Sequence, residues 1–138
     1  MMVLDTNMLS IMMSAQPARK VADWLLEQPS EDLFTAAVCQ AEVLSGIAIL
    51  PNGHRRAELE RAARAMFAED FRGRVLPFDT EAAVAYAEVF AVRRKAGRPV
   101  GAVDLMLAAI ARVRGASVVT RNVADFEGVG LMVINPWR

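Results

Sequence analysis

A chain of 138 residues carrying 16 basic and 16 acidic side chains, with one cysteine, is long enough for a single buried core and too short for two. The zero formal net charge excludes a global basic field of the kind that drives nonspecific nucleic-acid binding, and a lone cysteine excludes an intrachain disulfide framework. Its hydrophobic fraction of 54% and mean hydropathy of +0.26 are high for a water-exposed surface, so part of that surface is expected to be covered by a second copy or a partner chain.

One domain over residues 1–138 is therefore expected. The longest mostly apolar stretches, Val43 to Leu50 and Leu105 to Ala111, fall short of the ~20 residues that cross a bilayer. Asp5 breaks the opening apolar run and no basic segment precedes it, against a secretory signal. With Cys39 as the single thiol, a reducing, cytoplasmic setting is the expectation.

In chain order, brief runs rich in Val, Leu or Phe predict strands at Met2 to Asp5, Leu33 to Ala36, Arg74 to Pro77, Ser117 to Thr120 and Leu131 to Ile134. Between them, Arg19 to Gln28 reads as an amphipathic helix stopped by Pro29. Val38 to Leu50 reads as a mostly apolar helix stopped at Pro-Asn-Gly. Arg55 to Phe71 carries charges at helical spacing. Asp79 predicts the N-cap of a helix running towards Gly97, and the last long helix, Val103 to Arg114, ends at Gly115 as a natural C-cap. Strands alternating with helices predict an α/β class with a mostly parallel sheet of about five short strands. In such sheets ligands collect beyond the carboxyl ends of the strands, and Asp5 ends the first.

Three carboxylates stand alone in apolar surroundings: Asp5 between Met1 and Ala18, Glu42 between Val38 and Leu50, and Asp104 between Val100 and Ala111. An unpaired buried carboxylate takes up a proton or finds a partner. Each has a local explanation: Asp5 as cap of a helix beginning near Met8, Asp104 as a first-turn acid favoured by the helix dipole, Glu42 as partner of a distant arginine. Glu42 is the hardest to explain locally, because its i±3 and i±4 neighbours, Cys39, Val38, Ser45 and Gly46, carry no charge.

One cause serves all three if they converge on a divalent cation. Oxygen ligands select a hard ion, Mg²⁺ or Mn²⁺, and the chain offers only His54 and Cys39 towards zinc. Nothing marks a base to activate Cys39, so water activated by the cation is the expected attacker of phosphorus, with Thr6, Asn7 and Ser10 placed to position water or phosphate. There is no GxxxxGK[ST] loop and no GxGxxG, and none of Ser10, Ser14, Ser30 and Ser45 sits in a nucleophile elbow. His54, Trp24 and Trp137 read as surface or packing residues. The basic clusters at Arg93 to Arg98, Arg55–Arg56 and Arg112 to Arg121 read as solvated helix faces.

LDTN at 4–7, AE at 41–42 followed by LSG at 44–46, AVDLMLAAIA at 102–111 and VTRNVADF at 119–126 occur in the order seen in PIN-domain ribonucleases. The chain resembles that family, and within it the VapC-type toxins of type II toxin-antitoxin pairs; the closing INPW at 134–137 is similar to the FitB-like branch. The resemblance implies a three-layer α/β/α PIN-like domain, a homodimer, Mg²⁺- or Mn²⁺-dependent RNA cleavage, and neutralisation by a cognate antitoxin that carries a DNA-binding end. It implies that Asp5, Glu42 and Asp104 are the acidic ligands and that Thr120 helps to position substrate. Many relatives carry an aspartate where this chain has Asn122. Either Asn122 plays a weaker part, Asp125 substitutes for it, or a second metal binds poorly.

Two other classes compete. A non-catalytic binding module would use the acids to hold a structural cation. A receiver-type phosphoacceptor would need paired acids after the first strand and a late lysine, and Asp5 stands alone with no lysine beyond Lys95.

Overall fold

Each short apolar run becomes a strand of one sheet in the computed structural model, which describes all 138 residues. The strands are β1 (Met2–Leu4), β2 (Leu33–Ala36), β3 (Val75–Leu76), β4 (Ser117–Val119) and β5 (Val133–Ile134). They run in the order β3-β2-β1-β4-β5, and every pairing is parallel. Val3 at the centre pairs with Phe34 on one side and Val118 on the other. Parallel strands need covered faces, and the central pair supplies apolar residues to both: Val3, Leu4, Val118 and Val119 are all fully buried.

The covering helices are α1 (Thr6–Met13), α2 (Arg19–Glu27), α3 (Ala37–Ala48), α4 (His54–Ala65), α5 (Thr80–Lys95) and α6 (Ala102–Arg114), completing a three-layer α/β/α domain. Their ends follow local chemistry. Asp79 caps α5 by accepting from the Ala82 N–H at 2.9 Å, and Gly115 closes α6 in the left-handed conformation at φ 64°, which a side chain would oppose. Trp24 and Trp137 pack against the core, and His54 opens α4 with Glu58 beside it at 2.8 Å.

The structure departs from the sequence expectation in four places. β3 and β5, at the sheet edges, are only two residues long. α1 begins at Thr6, directly after β1, rather than near Met8. The helix expected over 55–71 ends at Ala65 and widens into a π-helical turn, Met66–Asp70, closed by the Phe71 N–H on the Met66 carbonyl at 3.0 Å. That wider turn lets Met66, Phe67 and Phe71 all enter the core.

The fourth departure is Arg93, which is no solvated surface charge. It is 5% exposed and donates to the carbonyls of Ala124 at 3.1 Å and Glu127 at 3.0 Å. The first carbonyl lies within, and the second directly after, a short 3₁₀ turn, Val123–Phe126, which follows β4.

The strand order sets the location of any site. From β1 the chain adds β2 and β3 on one side, then returns to add β4 and β5 on the other. A crevice opens where the order reverses, beyond the carboxyl ends of β1 and β4.

Candidate active site

Asp5 is the residue that β1 delivers to that crevice. Its backbone N–H continues the ladder to the Val119 carbonyl at 3.2 Å, and the next residue starts α1. The carboxylate then serves as the N-cap: Oδ1 accepts from the Met8 N–H at 3.0 Å and Oδ2 from the Thr120 hydroxyl at 2.6 Å. At 2% exposure the group is fixed in orientation. Burial raises its pKa above the ordinary range, the bonds from Thr120, Met8 and Asn7 pull it down, and the charge of Glu42 pushes it up again.

Thr120, expected to position substrate, is fully buried and commits its hydroxyl to Asp5, so it orients a carboxylate and is out of a substrate's reach. Its Oγ1 also accepts the Asn122 N–H at 2.9 Å, which turns the chain away from β4.

Asp5, Glu42 and Asp104 line one cleft of about 240 Å³, together with Thr6, Asn7, Gly101, Ala102, Val103 and Asn122. Three separate elements meet there: the β1–α1 junction, the middle of α3 and the first turn of α6. Glu42 is exposed and forms no ion pair, so a distant arginine does not neutralise it. Ser10 lies outside the cleft, on an adjoining groove that shares with it only Thr6 and Glu42.

Asp104 is the most perturbed acid. Its pKa is pushed up to about 7, first by burial, then by a hydrogen bond with Asp125, and then by the charges of Asp125, Asp5 and Glu42. Two carboxyl groups can share a hydrogen bond only when one of them holds a proton. The ambiguity between Asn122 and Asp125 is thus divided in space: Asn122 sits on the exposed rim, and Asp125 reaches Asp104 from the 3₁₀ turn. The grip of Arg93 on that turn had no sequence signal, because its position reads as one of a run of charges ending α5.

Cys39, one turn before Glu42, is fully buried, and its thiol is pushed up to about 12, first by burial and then by the charges of Asp5, Glu42 and Asp104. It is no nucleophile at neutral pH. The hydroxyl of Thr6, in the cleft wall, lacks a well-formed hydrogen bond in the chain; the thiol of Cys39 beside it is only a weak partner.

The chemistry of these donors suits a hard divalent cation, since every polar group facing the cleft is an oxygen or an amide and the orphaned Thr6 hydroxyl can meet a water or ligand. No three of the acids are gathered tightly enough to clasp an ion without side-chain movement. The cleft also has a positive side: Gly101, Ala102 and Val103 open α6 with no side-chain cap, leaving first-turn N–H groups to face an anion.

The sequence matches the model of the PIN domain over residues 2–130. It is 39% identical over 138 residues to the VapC ribonuclease Y4jK of Sinorhizobium fredii, covering 100% of this chain and 99% of that one. To the toxin FitB of Neisseria gonorrhoeae it is 34% identical over 138 residues, covering 100% and 99%. Among solved structures, that of FitAB bound to an IR36 DNA fragment superposes with a TM-score of 0.92 at 33% identity, covering 100% of this chain and 96% of that one. With its parallel sheet, acid-lined crevice and full-length similarity to VapC and FitB, the chain belongs to the PIN-domain family.

Proposed function

We propose that this protein is the toxin of a toxin-antitoxin pair, an endoribonuclease that hydrolyses RNA phosphodiester bonds with Mg²⁺ or Mn²⁺. The observation that carries this reading is the meeting of Asp5, Glu42 and Asp104 in one cleft at the switch point of the sheet, with the pKa of Asp104 pushed up to about 7 by burial and by its acidic neighbours. The names of the relatives, a ribonuclease and a toxin, support it.

In this reading Asp5, Glu42 and Asp104 hold the cation, with Asp125 as the fourth acid and Asn122 as a neutral rim group. When bound, the cation supplies Lewis-acid charge and a more acidic water. The chain does the rest. Thr120 and the Met8 N–H fix the two oxygens of Asp5, so that its free lone pairs keep one direction. The first turn of α6 offers N–H groups to a phosphate oxygen, and the Asn7 and Asn122 amides flank it at the mouth. Asp104, its pKa raised to about 7, holds a proton below neutral pH and would release it as positive charge arrives.

The partners proposed are RNA as substrate, a second copy of the chain, and an antitoxin, in keeping with solved neighbours that are FitAB and VapBC complexes on DNA. The test is RNA cleavage by the purified, antitoxin-free protein: it should appear with Mg²⁺ or Mn²⁺ and vanish with EDTA. Cation binding without any cleavage would instead favour a non-catalytic module.

A further inference from the structure

On the far side of the loop that leads into α6 lies a second cavity, of about 250 Å³, lined by Phe90, Arg93, Arg94, Arg98, Val100 and Leu105 among others. It adjoins the acidic cleft through a single peptide: Asp104 faces the cleft and Leu105 lines the cavity, with Cα atoms ~3.8 Å apart. Arg98, Pro99 and Val100 line the cavity, and Gly101, the next residue, lines the cleft.

The cavity has an unbalanced charge. Arg93, although buried, has no carboxylate partner; it spends two bonds on backbone carbonyls, and its Nε has no partner at all. Arg94 forms no ion pair or side-chain hydrogen bond. Arg98 meets Glu127 at 3.4 Å with both side chains largely in water, a pairing of little strength. Three guanidinium groups thus line the cavity, and no acid is among the residues of its wall. A buried cation without a counter-ion is costly, and an anion in the cavity offsets that cost.

We infer that this cavity is an RNA subsite, in which Arg94 and Arg98 hold a backbone phosphate of the strand whose scissile bond lies in the acidic cleft, with a base against Phe90. The assignment of RNA rests on the ribonuclease reading above. Phosphodiester RNA fits because it presents an anion and an aromatic face at each step, the combination that arginines and a phenylalanine receive. The arrangement also answers how a neutral protein with an acidic site retains a polyanion: attraction is local and sits beside the cleft.

The test is binding of a short fluorescein-labelled single-stranded RNA to the full chain in EDTA, which prevents cleavage, across a salt series. The Arg94→Ala/Arg98→Ala double variant should weaken binding roughly tenfold and lower the salt slope by about 0.7 for each phosphate that is no longer neutralised. Arg94→Gln, a milder change at an exposed position, should show a smaller loss of the same sign, and Arg19→Ala, remote on α2, none. Unchanged affinity and slope in both cavity variants would overturn the subsite. So would a loss of binding that accompanies dissociation of a dimer in sedimentation, because the cavity would then be an interface between copies. Wild-type protein that binds RNA in this way but cleaves none with Mg²⁺ or Mn²⁺ would overturn the ribonuclease reading and leave the subsite standing.

Discussion

At the scale of the residue, Asp104 carries the sharpest predictions. Its folded pKa, about 7, lies above the ordinary 3.8, so the protonated form is favoured in the fold. Its stabilising contribution is complete below the ordinary value and is lost as pH rises through about 7. Metal-free Asp104→Asn should therefore melt above wild type, by a margin larger at pH 8 than at pH 5; thermal melts in EDTA at the two pH values check this. Asp125→Asn removes both the hydrogen bond and the charge that help to push Asp104 up, so in that background the margin should stop growing at a lower pH and be smaller at pH 8. Asn122→Ala, on the rim, should leave it in place. Thr120→Val strips the partner from a buried Asp5 oxygen and should cost about 1–3 kcal/mol in chemical denaturation. The three lone acids were legible in the sequence because isolation among apolar residues is a one-dimensional signal. The choice between Asn122 and Asp125 was not, because it depends on how a 3₁₀ turn aims two side chains three residues apart.

At the scale of the element, the alternation of β-like and helical runs made the parallel sheet legible, and the caps at Asp79 and Gly115 were readable because each acts on its own helix. Lengths were less so. The edge strands pair with only the last two residues of β2 and β4, and the π-helical turn at Met66–Asp70 answers to the core it fills rather than to local propensity. Arg93 shows the same limit: its burial is decided by carbonyls 31 and 34 residues away. Arg93→Ala should free the Val123–Phe126 turn, destabilise the protein by roughly 2 kcal/mol through two charge-assisted bonds, and speed amide exchange over 123–127. Exchange unchanged in that turn would mean that other groups hold Asp125 in place.

At the scale of the whole molecule, the excess apolar surface foreseen from composition is visible on helices, where Leu26, Leu44, Val84 and Val92 are exposed, and beyond them at Ile49, after α3, and Met132, before β5. Such a surface favours assembly, and sedimentation of the antitoxin-free chain should give twice the 15.1 kDa monomer mass. The proposed function centres on the crevice at the sheet's switch point, where three acids distant in sequence line one cleft. The most direct measurement is RNA cleavage in Mn²⁺ by wild type and Asp104→Asn at equal folded concentration. The expected result is cleavage by wild type and a loss of at least about 100-fold in the variant, whose fold is intact or more stable. Undiminished cleavage by Asp104→Asn would contradict it.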